Sequence, residues 1–224
     1  MVSGGSVPRE VKAVIWDFGG VITSSPFEAF LRYEAGRGLP AGTIRRINAT
    51  NPDTNAWALF ERAEIDAAAF DRMFAEEAAA IGCEIPGGDV LALLAGDVRP
   101  NMVAALDAVK AAGMKIGCIT NNVPAGHGAG MARSEAKAAE IARIMARFDH
   151  VIESSKIGIR KPDPRIYVMM CDAIGVPPQD CVYLDDLGIN CKPAATLGMH
   201  AIKVTGEAQA LADLSAATGL SLSA

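Results

Sequence analysis

No uninterrupted apolar run in this 224-residue chain approaches the ~20 residues needed to cross a bilayer, although half of its residues are apolar. A membrane-spanning helix is thereby excluded, and so is a disordered chain, which could not combine with so apolar a composition. An excess of positive charge is also missing. Twenty-one Lys and Arg stand against 26 Asp and Glu, for a net charge of −5, and the cations are scattered and form no basic stripe. Nucleic acid and membrane are therefore not expected partners, and an anionic substrate has to be held by local charge. No Cys-x-x-Cys motif occurs among the five cysteines, Cys83, Cys118, Cys171, Cys181 and Cys191. Cys118 and Cys181 fall inside apolar, strand-like runs where a free thiol packs as a small hydrophobe, so reduced structural thiols and a cytoplasmic location are expected. The first ten residues lack the apolar stretch of a signal peptide and read as a flexible leader.

What is present is length for one large α/β domain, or a core with a smaller insertion. Short β-branched apolar runs predict buried parallel strands at 11–15, 115–119, 150–153, 181–184 and 201–204. Helical spacing fills the gaps at 101–112, 164–174 and 193–197, each closed by a glycine: Gly113, Gly175 and Gly198. Strands alternating with such helices predict an α/β fold with a doubly wound parallel sheet. Residues 26–96 break the rhythm with helix-like segments at 27–34, 41–48, 56–62, 67–81 and 90–94 and no convincing strand. The expected division is a core from 1–25 and 97–224 with an inserted helical bundle, 26–96, over the mouth of the site. A Gly-rich turn with His127 leads into an Ala-rich helix ending near Arg147. His150 and His200 adjoin strands and read as structural.

Four short segments carry the polar residues that stand out. Asp17 ends the run Ala13-Val14-Ile15-Trp16, Thr120-Asn121-Asn122 follows Ile116–Ile119, Lys161 lies in Arg160-Lys161-Pro162-Asp163-Pro164, and Asp185-Asp186 leads to Asn190. Singly each has a plain reading: a turn residue for Asp17, a turn for Thr-Asn-Asn, a solvent-facing Lys161, a helix N-cap pair for Asp185-Asp186. Together they deliver polar groups to one edge of a sheet, where open α/β folds place their sites.

These residues resemble the haloacid dehalogenase superfamily, whose four motifs are a nucleophilic Asp, a Ser/Thr, a Lys and an acidic pair. The resemblance runs from about residue 11 to about 206 and is closest around Gly158–Tyr167 and Leu184–Ala194. Those stretches look like the branch of the N-terminal phosphatase domain of soluble epoxide hydrolase, and still more like the hydrolase-like domain that opens certain multidomain acyl-CoA dehydrogenase family proteins. The chain is expected to end where that domain ends. The resemblance implies that the inserted helices are a cap that chooses substrates. It implies a Mg²⁺-dependent phosphatase of a small phosphorylated metabolite: Asp17 as nucleophile, Lys161 as the fixed cation, and Thr120 with the amides of Asn121 and Asn122 as phosphate ligands. The metal would be held by Asp17, the Gly19 carbonyl and Asp186, with Asp185 and Asn190 supporting. Counting back from Gly198-Met199 as in related motifs gives Asp186 the metal position.

One departure stands out. Phosphatases of this superfamily usually carry a second Asp two residues after the nucleophile to protonate the leaving alkoxide, and this chain has Gly19 there. The enzyme then takes substrates with good leaving groups, or another group supplies the proton, or the pocket binds without turnover. Glu28 and His127 are the candidates for a replacement acid, set against the plainer reading of His127 as a loop residue. A metal-independent 2-haloacid dehalogenase also needs no such Asp, but would not need two carboxylates at Asp185-Asp186. The cap's polar residues Arg32, Arg37, Arg45, Arg46, Asn51 and Asn55 cannot be placed by pattern, and no oligomeric state is assigned.

Overall fold

The computed structural model describes residues 10–124 and 134–223. Five parallel strands, β1 (Ala13–Trp16), β2 (Lys115–Thr120), β3 (His150–Glu153), β4 (Cys181–Asp185) and β5 (His200–Lys203), form one sheet in the order β3-β2-β1-β4-β5. The runs without alternation become strands covered on both faces, which is why β1 is fully buried. Side chains of β1 point alternately to the two faces. Val14 and Trp16 join a cluster with Leu106 of α6 (Pro100–Ala111), Ile141 and Ile144 of α7 (Glu135–Met145), and Leu211 and Leu214 of α11 (Glu207–Thr218). Ala13 and Ile15 join the opposite cluster with Ile166 and Met170 of α9 (Pro164–Ile174) and Ala194 of α10 (Gly188–Thr196). The chain runs outward from β1 through β2 to β3, then returns to the other side of β1 at β4. That reversal opens a crevice at the C-terminal ends of β1 and β4.

The five expected strands are all present, and the helix expected at 164–174 has those bounds. The helix expected at 193–197 starts five residues earlier, at Gly188, because the chain accepts Pro193 inside the helix and the preceding Gly-Ile-Asn turn is already wound. The first strand begins at Ala13, two residues later than expected, where pairing with Lys115 and Cys181 starts. Two helices not anticipated are the short α8 (Ser154–Ile157) and α11, whose buried stripe of Ala210, Leu211 and Leu214 covers the sheet beside β5.

Between β1 and α6 the chain forms α1 (Pro26–Gly36), α2 (Thr43–Ala49), α3 (Ala56–Glu61), α4 (Ala67–Ala80) and α5 (Gly87–Ala92), and no strand of the sheet. These helices bury their own apolar cluster, built on Phe30, Ile44, Phe60, Phe70 and Phe74. Phe60 and Phe70 stack at 4.9 Å. The two connections to the sheet run side by side: Thr23 and Val98 form an isolated antiparallel bridge, and Arg99 N–H donates to Ile22 O at 2.9 Å. Among the described residues no helix is long and apolar enough to cross a membrane. All five cysteines are free thiols, and all but Cys83 are buried.

Candidate active site

The strand ends bring the four motifs together. Asp17 follows β1, and its Oδ1 accepts the Phe18 N–H at 2.7 Å. Residues 18–22 then wind into one tight turn closed by Thr23 N–H on Phe18 O. Gly20 in that turn has φ +78°, and a Cβ there would lie 2.2 Å from Asp186 Oδ2. Only glycine lets the turn pass so close to that carboxylate. Thr120 is the last residue of β2 and Asp185 the last of β4, both buried.

Lys161 comes from the loop between α8 and α9 and is 1 % exposed. Its ammonium donates to Asp17 Oδ1 at 2.8 Å, to Asp185 Oδ2 at 2.8 Å and to the Ile119 carbonyl at 3.0 Å. Those three contacts use all its protons. Burial alone would lower its pKa, but Asp17 and Asp185 outweigh burial and the net direction is up. Burial pushes the Asp17 carboxyl well up; Lys161 opposes this, and the negative charges of Asp185 and Asp186 reinforce it. Asp186 is raised too, first by burial and then by Asp185.

Asp185 and Asp186 are adjacent in sequence but differ in surroundings. Asp185 is saturated: besides Lys161 it accepts Tyr183 OH at 2.5 Å, Leu187 N–H at 2.8 Å, and Asn190 Nδ2 at 3.1 Å on both oxygens. Asn190 is in turn anchored by its carbonyl, which accepts the Tyr167 hydroxyl at 2.8 Å. Asp186 accepts one side-chain hydrogen bond, from Ser25 Oγ at 2.9 Å. Carboxylate oxygens of Asp17, Asp185 and Asp186 all lie within 4.8 Å of one another. Among the described residues a single ammonium, that of Lys161, is ion-paired to them. This is a set of hard oxygen donors with an excess of negative charge, which fits a small divalent cation such as Mg²⁺.

Asn121 and Asn122 do different work from one another. The Asn121 side chain clasps the Lys161 backbone, accepting its N–H at 2.8 Å and donating to its carbonyl at 3.0 Å. The Asn122 N–H donates to Ser154 Oγ at 3.1 Å, and the Asn122 side chain bonds Glu153 and Ser155. The anion-binding role given to the Asn122 amide in sequence is therefore corrected. That amide is already spent in tying the loop after β2 to α8.

Of the acid candidates, Glu28 is exposed in the first turn of α1 and His127 lies outside the described residues. His150 and His200 open β3 and β5, at the opposite edge of the sheet from Asp17. Lys192 is exposed. Sequence reasoning missed Ser25, Tyr183 and Glu61. Ser25 carried a local signal, as a Ser-Pro start to α1 whose hydroxyl accepts the Phe27 N–H. Tyr183 and Glu61 carried none, because their partners are set by the tertiary fold.

The family model for haloacid dehalogenase-like hydrolases matches residues 11–198. The chain belongs to this family. A mouse (Mus musculus) acyl-CoA dehydrogenase family member 10 is 32% identical over 225 residues, covering 98% of this chain but 20% of the relative. Bifunctional epoxide hydrolase 2 of Sus scrofa is 38% identical over 91 residues, 41% of this chain and 16% of that protein. The chain thus spans about a fifth of the length of the mouse relative. Among solved structures, a haloacid dehalogenase family enzyme of Bacteroides thetaiotaomicron in complex with magnesium and inorganic phosphate superposes with a TM-score of 0.57, at 17% identity over 88% of this chain and 96% of that one. The L-2-haloacid dehalogenase of Xanthobacter autotrophicus superposes with a TM-score of 0.58, at 19% identity over 92% and 82%. At those identities both describe the shared fold of the haloacid dehalogenase-like hydrolases and leave the chemistry to the site.

Proposed function

We propose that this hydrolase is a Mg²⁺-dependent phosphatase of a small phosphorylated metabolite, working through an aspartyl-phosphate on Asp17. The observation that carries the reading is the charge imbalance at the strand ends, three clustered carboxylates against one ammonium. A metal-independent dehalogenase has no use for that imbalance, which leaves Asp17 and Asp186 inclined to hold protons. Asp17, Asp186 and the Gly19 carbonyl are the residues that would hold the ion, since Asp185 has its oxygens filled. When bound, Mg²⁺ supplies positive charge against the phosphate dianion.

The chain's own residues then divide the work. Among the described residues the Phe18 N–H and the Lys161 ammonium both contact Asp17 at Oδ1, so Oδ2 is the attacking oxygen. It forms a bond to phosphorus as the bond to the leaving oxygen breaks, and water later cleaves the aspartyl-phosphate to return the carboxylate. Lys161 offsets the repulsion between Asp17 and the phosphate, held in place by Asp185 and Ile119 O. Thr120, at the end of β2, and the backbone amide of Asn121 are the phosphate donors of this reading. Tyr183 and Asn190 fix Asp185 and so fix Lys161.

The leaving group has no acid at position 19, so acyl, aryl and anomeric phosphates are expected to turn over faster than alkyl phosphates. Phosphate release from such a panel, with Mg²⁺ and with chelator, tests the reading. Release should require Mg²⁺ and fall to background in Asp17→Asn; halide release from 2-haloacids without metal would replace this reading with the dehalogenase.

A further inference from the structure

Arg160 and Lys161 are consecutive and point to opposite places. The Lys161 ammonium reaches Asp17, while the Arg160 guanidinium leaves the core and enters the cap. There Arg160 Nε lies 2.6 Å from Glu61 Oε2, and Nη1 donates to Pro52 O at 2.8 Å. Glu61 is the last residue of α3 and is 5 % exposed. Its other oxygen accepts Trp57 Nε1 at 2.9 Å, which fixes its rotamer from one turn earlier in the same helix. Oε2 also accepts Asn121 Nδ2 at 3.3 Å. The Asn121 nitrogen is thus shared between Glu61 and the Lys161 carbonyl, while its oxygen accepts the Lys161 N–H. Two positions beyond Asn121, Val123 is buried in the cap's apolar cluster.

We propose that Glu61 is a positioning residue for the reaction, acting through Asn121 and Arg160 to brace the backbone that presents Lys161 to Asp17, so that the seated cap steadies the loop that carries the nucleophile's cation. A buried carboxylate is costly unless paired. Here the pair is split between the two parts of the molecule, and opening the cap strips Glu61 Oε2 of Arg160 and Asn121, while the Trp57 bond to its other oxygen stays. At the opposite end the cap's first helix starts at Ser25, whose hydroxyl bonds Asp186. Two contacts thus link the inserted helices to the site: Ser25, which caps α1, on the acidic pair, and Glu61 on the lysine loop.

The inference rests on the phosphatase reading for its catalytic meaning, and the test separates the two. Wild type, Glu61→Ala, Glu61→Gln and Phe74→Leu are compared in Mg²⁺-dependent hydrolysis of an aryl phosphate and in amide hydrogen exchange. Glu61→Ala is expected to lower kcat by ~10- to 100-fold with KM changed by less than about threefold, as a small misplacement of a reacting group does. It should also speed exchange at 120–122 and at 160 and 161, and leave β1 and β4 unchanged. Glu61→Gln keeps one acceptor oxygen for Asn121 and Arg160 at the cost of the Trp57 bond, and should recover part of the kcat that Glu61→Ala loses. Phe74→Leu, in the cap's apolar cluster, should lower stability with kcat kept. Equal kcat loss in Glu61→Ala and Phe74→Leu, or unchanged exchange at 160 and 161 in Glu61→Ala, overturns the positioning role. A wild type with no phosphatase activity overturns the proposed function instead, and with it the catalytic meaning of the contact.

Discussion

At Gly19 a Cβ would meet no atom within 4 Å, and φ of −69° is open to any L residue. The backbone can therefore take an aspartate where none stands, two residues after Asp17. Gly19→Asp is expected to raise turnover of alkyl phosphates relative to acyl phosphates by up to ~10²- to 10⁴-fold, the span of general acid catalysis. The ratio of kcat/KM for the two substrate classes measures it; an unchanged ratio means that a proton donor already serves the leaving group. Gly20, one residue on, is the opposite case, since its φ is positive and Asp186 occupies the space of a Cβ. Sequence pattern could identify both glycines as turn residues, but only the neighbouring Asp186 tells them apart. The same holds at Asp185 and Asp186, which the spacing to Gly198 assigned to different tasks but whose hydrogen bonds only coordinates could supply.

Asn55 shows what an element owes to one side chain. It caps α3, with Oδ1 accepting the Ala58 N–H at 2.8 Å, and its amide donates to the carbonyls of Asn48 and Thr50. Asn55→Ala removes a helix cap and leaves two carbonyls short of a donor, for a loss of about 2 kcal/mol and a fall in Tm of ~4–8 °C. Thermal unfolding followed by circular dichroism checks this. In sequence Asn55 stood among polar cap residues without a place, and the structure gives it a structural one. The strands were legible because burial on both faces demands continuous apolar runs, and the helices over the sheet because their stripes have a period. The cap's contacts with the core were not legible: Asn121 and Glu61 are 60 positions apart, and nothing local in either marks the other.

For the whole molecule, the clustered acids tie stability to pH and to metal. Burial raises Asp17 and Asp186 above their ordinary value of 3.8, so the folded protein without metal holds protons that the unfolded chain has released. That contribution is complete below about pH 4 and is lost as pH rises through the raised values, so without metal these groups stabilise the fold less at neutral pH. A bound Mg²⁺ would reverse the balance, because it takes the ionised form. The gain in Tm on adding Mg²⁺ is expected to grow from pH 5 to pH 7.5 and to shrink in Asp186→Asn. Differential scanning calorimetry with Mg²⁺ and with chelator at each pH reads both.

The central strand β1 is made early in the chain, yet one of its two neighbours, β4, is among the last strands to appear. Lys12 and Asp180, which flank that pairing, are 168 positions apart. A growing chain therefore carries an apolar strand with one side open until residues near 185 have emerged, while the cap helices have their own cluster to bury at once. Order of synthesis and order of assembly run against each other here. The inserted helices can bury their own cluster before the sheet is complete, and Asp17 meets Asp185 and Asp186 only when β4 pairs with β1.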